Sequence, residues 1–415
     1  MKKTMAMLLA LIMLLSAVPA FASNSRTSGL FTYEIKGNGT AIITDFDWKS
    51  NKNQDVYIPN MIDGYTVTTI GEGAFSVGDN EYYNKLVVVT IPDTVTTLEE
   101  KAFFLAPVSA INIPQNLRTI GSGALTTQSG VQFNLVPKHQ WFAIIENALY
   151  EKSTKKLIAI SGTEPFLDIP DGIKTIGAYA CYNGQRANAL ASMGVYVPDS
   201  VTTIEEYAFA NISLTGRLKE GYGFAGVQVL GEGCFRDVLF HEPFTLPEGI
   251  KEIPAYAFES SSITDYFILP NSIEEIGDYA FSAFRGYSSY CDYFRSANNL
   301  VGVEIEEPAT SSTLPSNLKR VGNYAFYRSN EVFYQGEVIL PDGVEFVGIQ
   351  AFADCDVTNC VLPASITEIS EDAFDRESVT LQVEQDCYAE AFAQEWGYNY
   401  TYGSGVEDDL SWLNS

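Results

Sequence analysis

Histidine is nearly absent: His139 and His241 are the only two in 415 residues. Neither stands in a His-Glu-x-x-His pattern or in another ligand spacing, so the sequence offers no histidine-built metal or base centre. No Gly-x-Ser-x-Gly elbow occurs. The Gly221-Tyr222-Gly223 run has no Lys-Ser/Thr after it and no strand-to-helix setting, which removes a phosphate-loop reading. No cofactor or metal is expected. Basic residues are scarce, 25 Lys and Arg against 52 Asp and Glu, for a formal net charge of −27. So acidic a surface repels phosphate backbones and anionic lipid, and nucleic acid is not an expected partner. Solubility is the plain reading of the charge; a cationic partner or divalent ions also suit it. After residue 22 no apolar run is long enough to cross a bilayer.

What is present begins with an export signal. Lys2 and Lys3 precede an apolar run from Met5 to Val18, and Ala20-Phe21-Ala22 offers a small-x-small cleavage site. Residues 1–22 therefore read as a secretory signal peptide, with Ser23 opening the mature chain. Its removal leaves 23 basic residues against 52 acidic ones, a net charge of about −29.

The rest is organised by one phrase, clearest at Leu269-Pro270-Asn271-Ser272-Ile273-Glu274-Glu275-Ile276-Gly277-Asp278-Tyr279-Ala280-Phe281. An apolar residue precedes a proline. Apolar residues follow the proline at plus three and plus six, Gly stands at plus seven, and Ala-Phe closes. Pro92 to Phe103 is eleven residues, and the same eleven recur from Pro114, Pro170, Pro198, Pro247, Pro270, Pro315, Pro341 and Pro363. A stretched copy ends at Phe75 and a worn one at Cys234-Phe235. The gap to the next proline varies, and the shortest full period, Pro92 to Pro114, is 22 residues. A fixed half-turn joined to an elastic half-turn is a solenoid, whose coils stabilise one another as an array. Proline suits a strand end, where its missing N–H leaves no gap in a ladder. Glycine at plus seven reads as a tight corner with positive φ. The residues between the apolar positions, such as Thr96-Thr97, Lys251-Glu252 and Glu274-Glu275, belong on the solvent side.

With its Ile-Pro, Val-x-x-Ile-Gly and Ala-Phe elements, the phrase resembles the BspA-type leucine-rich repeat, over residues 58–374. Leu125 and Cys181 in the aromatic slot and Cys234 in the alanine slot depart from it. The resemblance implies an α/β repeat solenoid: a right-handed leucine-rich-repeat array, strand-rich with few short helices. It further implies a secreted or surface bacterial protein concerned with adhesion and partner binding and not with catalysis.

The expected organisation is a signal peptide at 1–22, an N-terminal β-hairpin cap at 23–57, and a solenoid at 58–378. Insertions fall at 126–168, 211–228 and 282–313. A strand–helix–strand cap at 379–402 and an acidic tail at 403–415 follow. The hairpin reading rests on Leu30-Phe31-Thr32-Tyr33-Glu34-Ile35, a Lys36-Gly37-Asn38-Gly39 turn and Thr40-Ala41-Ile42-Ile43-Thr44. Residues 126–168 read as an irregular coil containing a hairpin. Tyr388, Ala391, Phe392 and Trp396 share one face of a short helix.

The candidate partner-binding residues lie in the insertion 282–313: Phe284, Arg285, Tyr287, Tyr290, Tyr293, Phe294 and Arg295. Loops held on a rigid scaffold commonly carry function, and Tyr and Arg are enriched in binding hot spots. The competing reading packs these aromatics back onto the coil beneath. Cys181 and Cys234 replace core residues two coils apart, about 9–10 Å at ~4.8 Å per coil, beyond the ~7 Å a disulfide bridges. Buried free thiols are expected there and at Cys355 and Cys360.

Three functions stay open at this point. The first is a monomeric secreted scaffold that binds an extracellular protein or host-surface ligand. The second is a carbohydrate-binding or cell-envelope structural module, with Tyr and Trp stacking on sugar rings. The third is a hydrolase using a carboxylate pair, which counting acids leaves open.

Overall fold

The computed structural model describes residues 25–52, 54–77, 86–127, 130–162, 166–182, 192–214, 224–264, 267–286, 294–296, 314–330 and 332–403. The expected signal peptide at 1–22, the tail beyond Gly403 and most of the insertion 282–313 lie outside them. The chain winds as a β-solenoid, and the α-helix Tyr388–Trp396 is confined to the C-terminal cap.

Each coil is built from the repeated phrase in the same way. A strand ends one or two residues before proline, as Phe267–Leu269 does before Pro270 and Val87–Thr90 before Pro92. The proline carbonyl then accepts a turn hydrogen bond from the plus-three amide, as in Ile273 N–H to Pro270 O at 3.4 Å and Val95 N–H to Pro92 O at 3.0 Å. A two-residue strand follows, such as Glu275–Ile276, which pairs in parallel with Glu252–Ile253 and Arg320–Val321. Lys251, Glu252, Thr96 and Thr97 face outward while Ile253 and Leu98 are buried.

The glycine at plus seven does not have the positive φ expected of it. Among the phrase glycines Gly71, Gly121, Gly177, Gly231, Gly277, Gly322 and Gly348, none is left-handed. Room is what they supply. A Cβ on Gly277 would meet Ala255 N at 2.8 Å and Ile253 O at 2.9 Å. The Gly277 amide donates to Ile253 O at 2.8 Å, one coil back, a bond that Glu99, Glu205 and Ser370 also make from this slot, to Ile70, Ile176 and Val347. Pro254 occupies the equivalent slot of its own coil and has no amide to donate. There the strand pairing stops at Val229–Leu230 and resumes at Glu252–Ile253.

The left-handed residue sits two positions later and is usually not glycine. Lys101, Tyr179, Tyr207, Tyr256, Tyr279, Tyr324 and Gln350 hold φ between 47° and 59°. The corner turns the Ala-Phe pair inward, and its amides continue a third ladder, as in Phe258 N–H to Ala280 O at 2.7 Å.

Inside, the closing phenylalanines form a column. Phe209, Phe235, Phe258, Phe281, Phe326, Phe352 and Phe374 stack at 5.1–5.5 Å, with planes within 11° of parallel. Phe75 and Phe103 stack at 4.7 Å in the first part of the array. Leu125 and Cys181 interrupt the column between these two runs. The apolar interior is correspondingly two clusters, one from Tyr33 to Ala159 and one from Ala148 to Tyr398.

Both ends are covered. At the start Arg26–Ser28, Phe31–Ile35 and Thr40–Phe46 form an antiparallel meander whose last strand pairs in parallel with Tyr65–Ile70. Trp48 closes this end by donating from Nε1 to Phe75 O at 2.9 Å. At the far end Phe392 and Ala393 of the helix are buried, and Asn399–Tyr402 pairs in parallel with Thr380–Val383. Glu390, in the first helical turn, accepts from Asp386 N at 2.6 Å and Tyr402 OH at 2.5 Å, so it ties helix start to final strand. No helix among the described residues is long and apolar enough to cross a membrane.

Candidate functional site

The insertion 282–313 leaves and rejoins the array without disturbing the stack. Phe281 and Phe326 are 45 residues apart in sequence yet are column neighbours at 5.3 Å. Their coils are joined by Phe281 N–H to Ala325 O at 2.8 Å and Ala283 N–H to Tyr327 O at 2.7 Å. Leu314 returns beside the next strand, its amide 3.2 Å from Ile339 O.

Phe284 is fully buried, packed edge-on against Phe267 at 5.6 Å and Phe281 at 5.7 Å. Its ring serves the core, as the competing sequence reading held for these aromatics. Arg285 is exposed on the strand Arg285–Gly286, which pairs with Ser262–Ile263. Tyr287, Tyr290 and Tyr293 lie outside the described residues. Phe294 and Arg295 belong to the strand Phe294–Ser296, which adds to Phe267–Leu269 as a further parallel rung. The root of the insertion is thus hydrogen-bonded into the long-strand face. Next to its return point a groove of about 920 Å³ is lined by Leu340, Pro341, Leu362, Pro363, Val383 and Tyr402, with Asp342 and Glu384 at its polar margin.

A tyrosine column runs along the left-handed corner and was not read from the sequence. Tyr179 and Tyr207 stack at 5.2 Å, Tyr256 and Tyr279 at 5.1 Å, and Tyr279 and Tyr324 at 4.6 Å, all within 16° of parallel. Lys101 lies 5.0 Å from the Tyr179 centroid and Arg236 5.9 Å from that of Tyr256. Burial raises the phenol pKa of Tyr179 and Tyr279 and takes that of Tyr207 to about 12. A signal for the column existed: tyrosine recurs nine residues after the phrase proline.

The outward short-strand face carries charge in alternation. Glu274 stands between Lys251 Nζ at 2.8 Å and Lys319 Nζ at 2.6 Å. Their hydrogen bonds hold its carboxyl at about 2, below the usual glutamate value. Arg320 pairs with Glu275 at 3.2 Å and covers Phe346 at 3.8 Å.

His139 is buried; its Nδ1 accepts from the amides of Trp141 and Phe142 at 3.3 Å, which leaves Nε2 protonated and donating to Pro114 O at 3.0 Å. His241 Nε2 meets Ser213 Oγ at 2.8 Å, but Ser213 is only 2% exposed, so that hydroxyl does not reach a substrate. Cys181, Cys234, Cys355, Cys360 and Cys387 are free thiols. Burial raises the thiol pKa of Cys181, Cys234 and Cys360, and that of Cys355 to about 12. No group of three or more His, Cys, Asp or Glu among the described residues is placed to hold a metal ion.

The pattern of the BspA type leucine rich repeat region matches residues 42–166, 165–286 and 306–392. No curated protein sequence matches the chain. Among solved structures, the chain is similar to a leucine rich cell surface protein from Faecalibacterium prausnitzii A2-165, at 20% identity over 92% of this chain and 98% of that one, TM-score 0.43. It is also similar to a leucine-rich repeat protein from Bacteroides ovatus ATCC 8483 (17% identity, 91% and 99% covered, TM-score 0.32). A further neighbour is the pneumococcal vaccine antigen PcpA (13% identity, 91% and 98% covered, TM-score 0.35). The phrase, its coil geometry and a family match over most of its length agree: this chain belongs to the BspA-type leucine-rich-repeat family.

Proposed function

We propose that the protein is an exported, non-catalytic scaffold that binds an extracellular protein or host-surface ligand. Its contact surface is the insertion 282–313 together with the long-strand face on which the insertion is rooted. The observation that carries this reading is the way the insertion is mounted. Phe281 and Phe326 keep the column intact, Phe294–Ser296 adds a rung to the sheet, and the groove at Leu340, Leu362 and Tyr402 opens next to Leu314. A partner that grips the loop then also meets a rigid surface, which lowers the ordering cost of binding. Exposed Arg285 and the Tyr-rich loop sequence supply the side-chain types that dominate hot spots. Phe284 acts beneath them as an anchor of the loop root.

Sugar stacking fits the tyrosine column poorly. Neighbouring rings at 4.6–5.2 Å cover one another's faces, and a sugar needs an open face. The test compares the mature chain with a variant in which residues 287–311 are replaced by a Gly-Ser turn. Both are presented to immobilised matrix proteins and to a glycan array. Binding by the intact protein alone, with both proteins folded, supports the loop as the site. Equal binding by both moves the site to the repeat face. Failure of both proteins on every surface overturns the scaffold reading.

A further inference from the structure

The meander near the middle of the array repeats the construction of the N-terminal cap. There, three antiparallel strands lead into a parallel ladder at Tyr65–Ile70. In the middle, Phe142–Ile145, Ala148–Glu151 and Lys156–Ile160 are again antiparallel, and the third pairs in parallel with Thr175–Ile176. Both meanders carry a register shift in the middle strand, at Thr32/Tyr33 and at Leu149/Tyr150. Both bury a tyrosine there, Tyr33 and Tyr150. We propose that residues 142–160 are an internal end cap, and that the chain is two solenoid blocks placed end to end across it, each unfolding as its own cooperative unit.

The interior supports this division. Successive strand residues point to opposite faces, and here the two faces serve different cores. Phe142, Leu149 and Ala159 pack in the upstream cluster; Ala148, Tyr150 and Leu157 pack in the downstream one. The meander is a septum between two apolar interiors. The phenylalanine column stops at the same level, where Leu125 and Cys181 stand in its slots.

The backbone supports it as well. Among the described residues, no strand before residue 136 pairs with a strand after residue 141. Among the described residues the contacts that cross include Gly162 N–H to Val131 O at 2.7 Å, Thr126 Oγ1 to Tyr179 O at 3.1 Å and Phe133 N–H to Ser161 Oγ at 3.3 Å, with Phe104 against the rings of Tyr179 and Tyr182 at 5.4 and 5.5 Å and Lys101 over Tyr179 at 5.0 Å. An ordinary junction is different. Between the coils of Phe258 and Phe281, three strand pairs form, and the amides of Tyr256, Phe258, Ser260, Glu274 and Gly277 all cross. Even at Pro254, where one ladder fails, Phe235 N–H still reaches Ala257 O at 2.9 Å and Leu239–Phe240 still pairs with Ser262–Ile263. In a one-dimensional array, cooperativity is carried by nearest-neighbour interfaces, so it divides where the interface is thinnest.

Adjacent residues of the septum give the test. Leu149 faces the upstream core, and Leu149→Ala removes its side chain from that core. Tyr150 faces the downstream core with a buried hydroxyl that has no hydrogen-bond partner, so Tyr150→Phe relieves that block. Full-length proteins are unfolded by heat in a calorimeter and by urea, with hydrogen-exchange mass spectrometry to locate each transition. The expected result is that Leu149→Ala lowers the transition of peptides within 31–135 by about 10 °C, and leaves peptides within 192–383 in place. Tyr150→Phe raises only the latter. Phe75→Leu, far from the septum, repeats the upstream shift should Leu149→Ala fail to fold. A single transition in which all peptides lose protection together, with every variant moving it alike, overturns the proposal.

Discussion

Gly277→Ala separates two explanations of the phrase glycine by the sign of its effect. Where alanine fits and φ is ordinary, replacing glycine stabilises a protein by about 0.4–1 kcal/mol, because the unfolded chain has less freedom to lose. Gly277 is outside the left-handed region, so backbone conformation alone predicts that gain. Its surroundings predict the reverse. The added Cβ would lie 2.8 Å from Ala255 N, 2.9 Å from Ile253 O and 3.0 Å from Pro254 C. All three atoms are backbone of the preceding coil, so no side chain can swing aside. Forcing a methyl group into such a contact costs about 1–3 kcal/mol, and it also strains the Gly277 amide bond to Ile253 O. The net expectation is a loss of about 1–2 kcal/mol, read as a lower urea midpoint at unchanged slope by far-ultraviolet circular dichroism. Equal or greater stability of Gly277→Ala would refute the close-approach account of the coil-to-coil contact.

Other outcomes follow from the same geometry. Tyr279→Gly relieves a left-handed residue, about 1–2 kcal/mol. It also removes ring contacts to Tyr256 and Tyr324, about 0.5–1.5 kcal/mol each beyond area burial. The variant should therefore lose stability in urea, and a gain would mean that the column contributes less than its strain. For Glu274, whose folded value of about 2 lies below its ordinary 4.5, the stabilisation is present above pH 4.5 and is lost as pH falls toward 2. Glu274→Gln should lose less stability than the wild type between pH 5 and 2, and parallel stability curves would show that the lysine pair is without effect. Thiol labelling of the native protein at pH 8 should spare Cys181, Cys234 and Cys360, with all three labelled after unfolding; rapid native labelling of any of them would contradict their burial.

The sequence by itself determined the array. Eleven residues from proline to the closing aromatic recur because each coil must present the same groups to its neighbours at the same height. That regularity is visible in one dimension, as were the two caps, whose alternating and helical apolar patterns are local. Free, buried thiols at Cys181 and Cys234 also followed from counting coils, and the structure has both as free thiols. Tertiary structure decided what depends on the next coil. The glycine at plus seven is there for a neighbouring backbone that no single copy reveals, and the left-handed φ went instead to residues such as Tyr279. Phe284 could be read as a loop aromatic or as core, because burial depends on Phe267 and Phe281 meeting it across coils. The tyrosine column has the same origin: ring stacking at about 5 Å is set by coil spacing, and sequence distance between the partners varies with every insertion. The septum at residues 142–160 reads locally as a hairpin. Only the packed structure shows that Leu149 and Tyr150, adjacent in the chain, belong to different hydrophobic interiors.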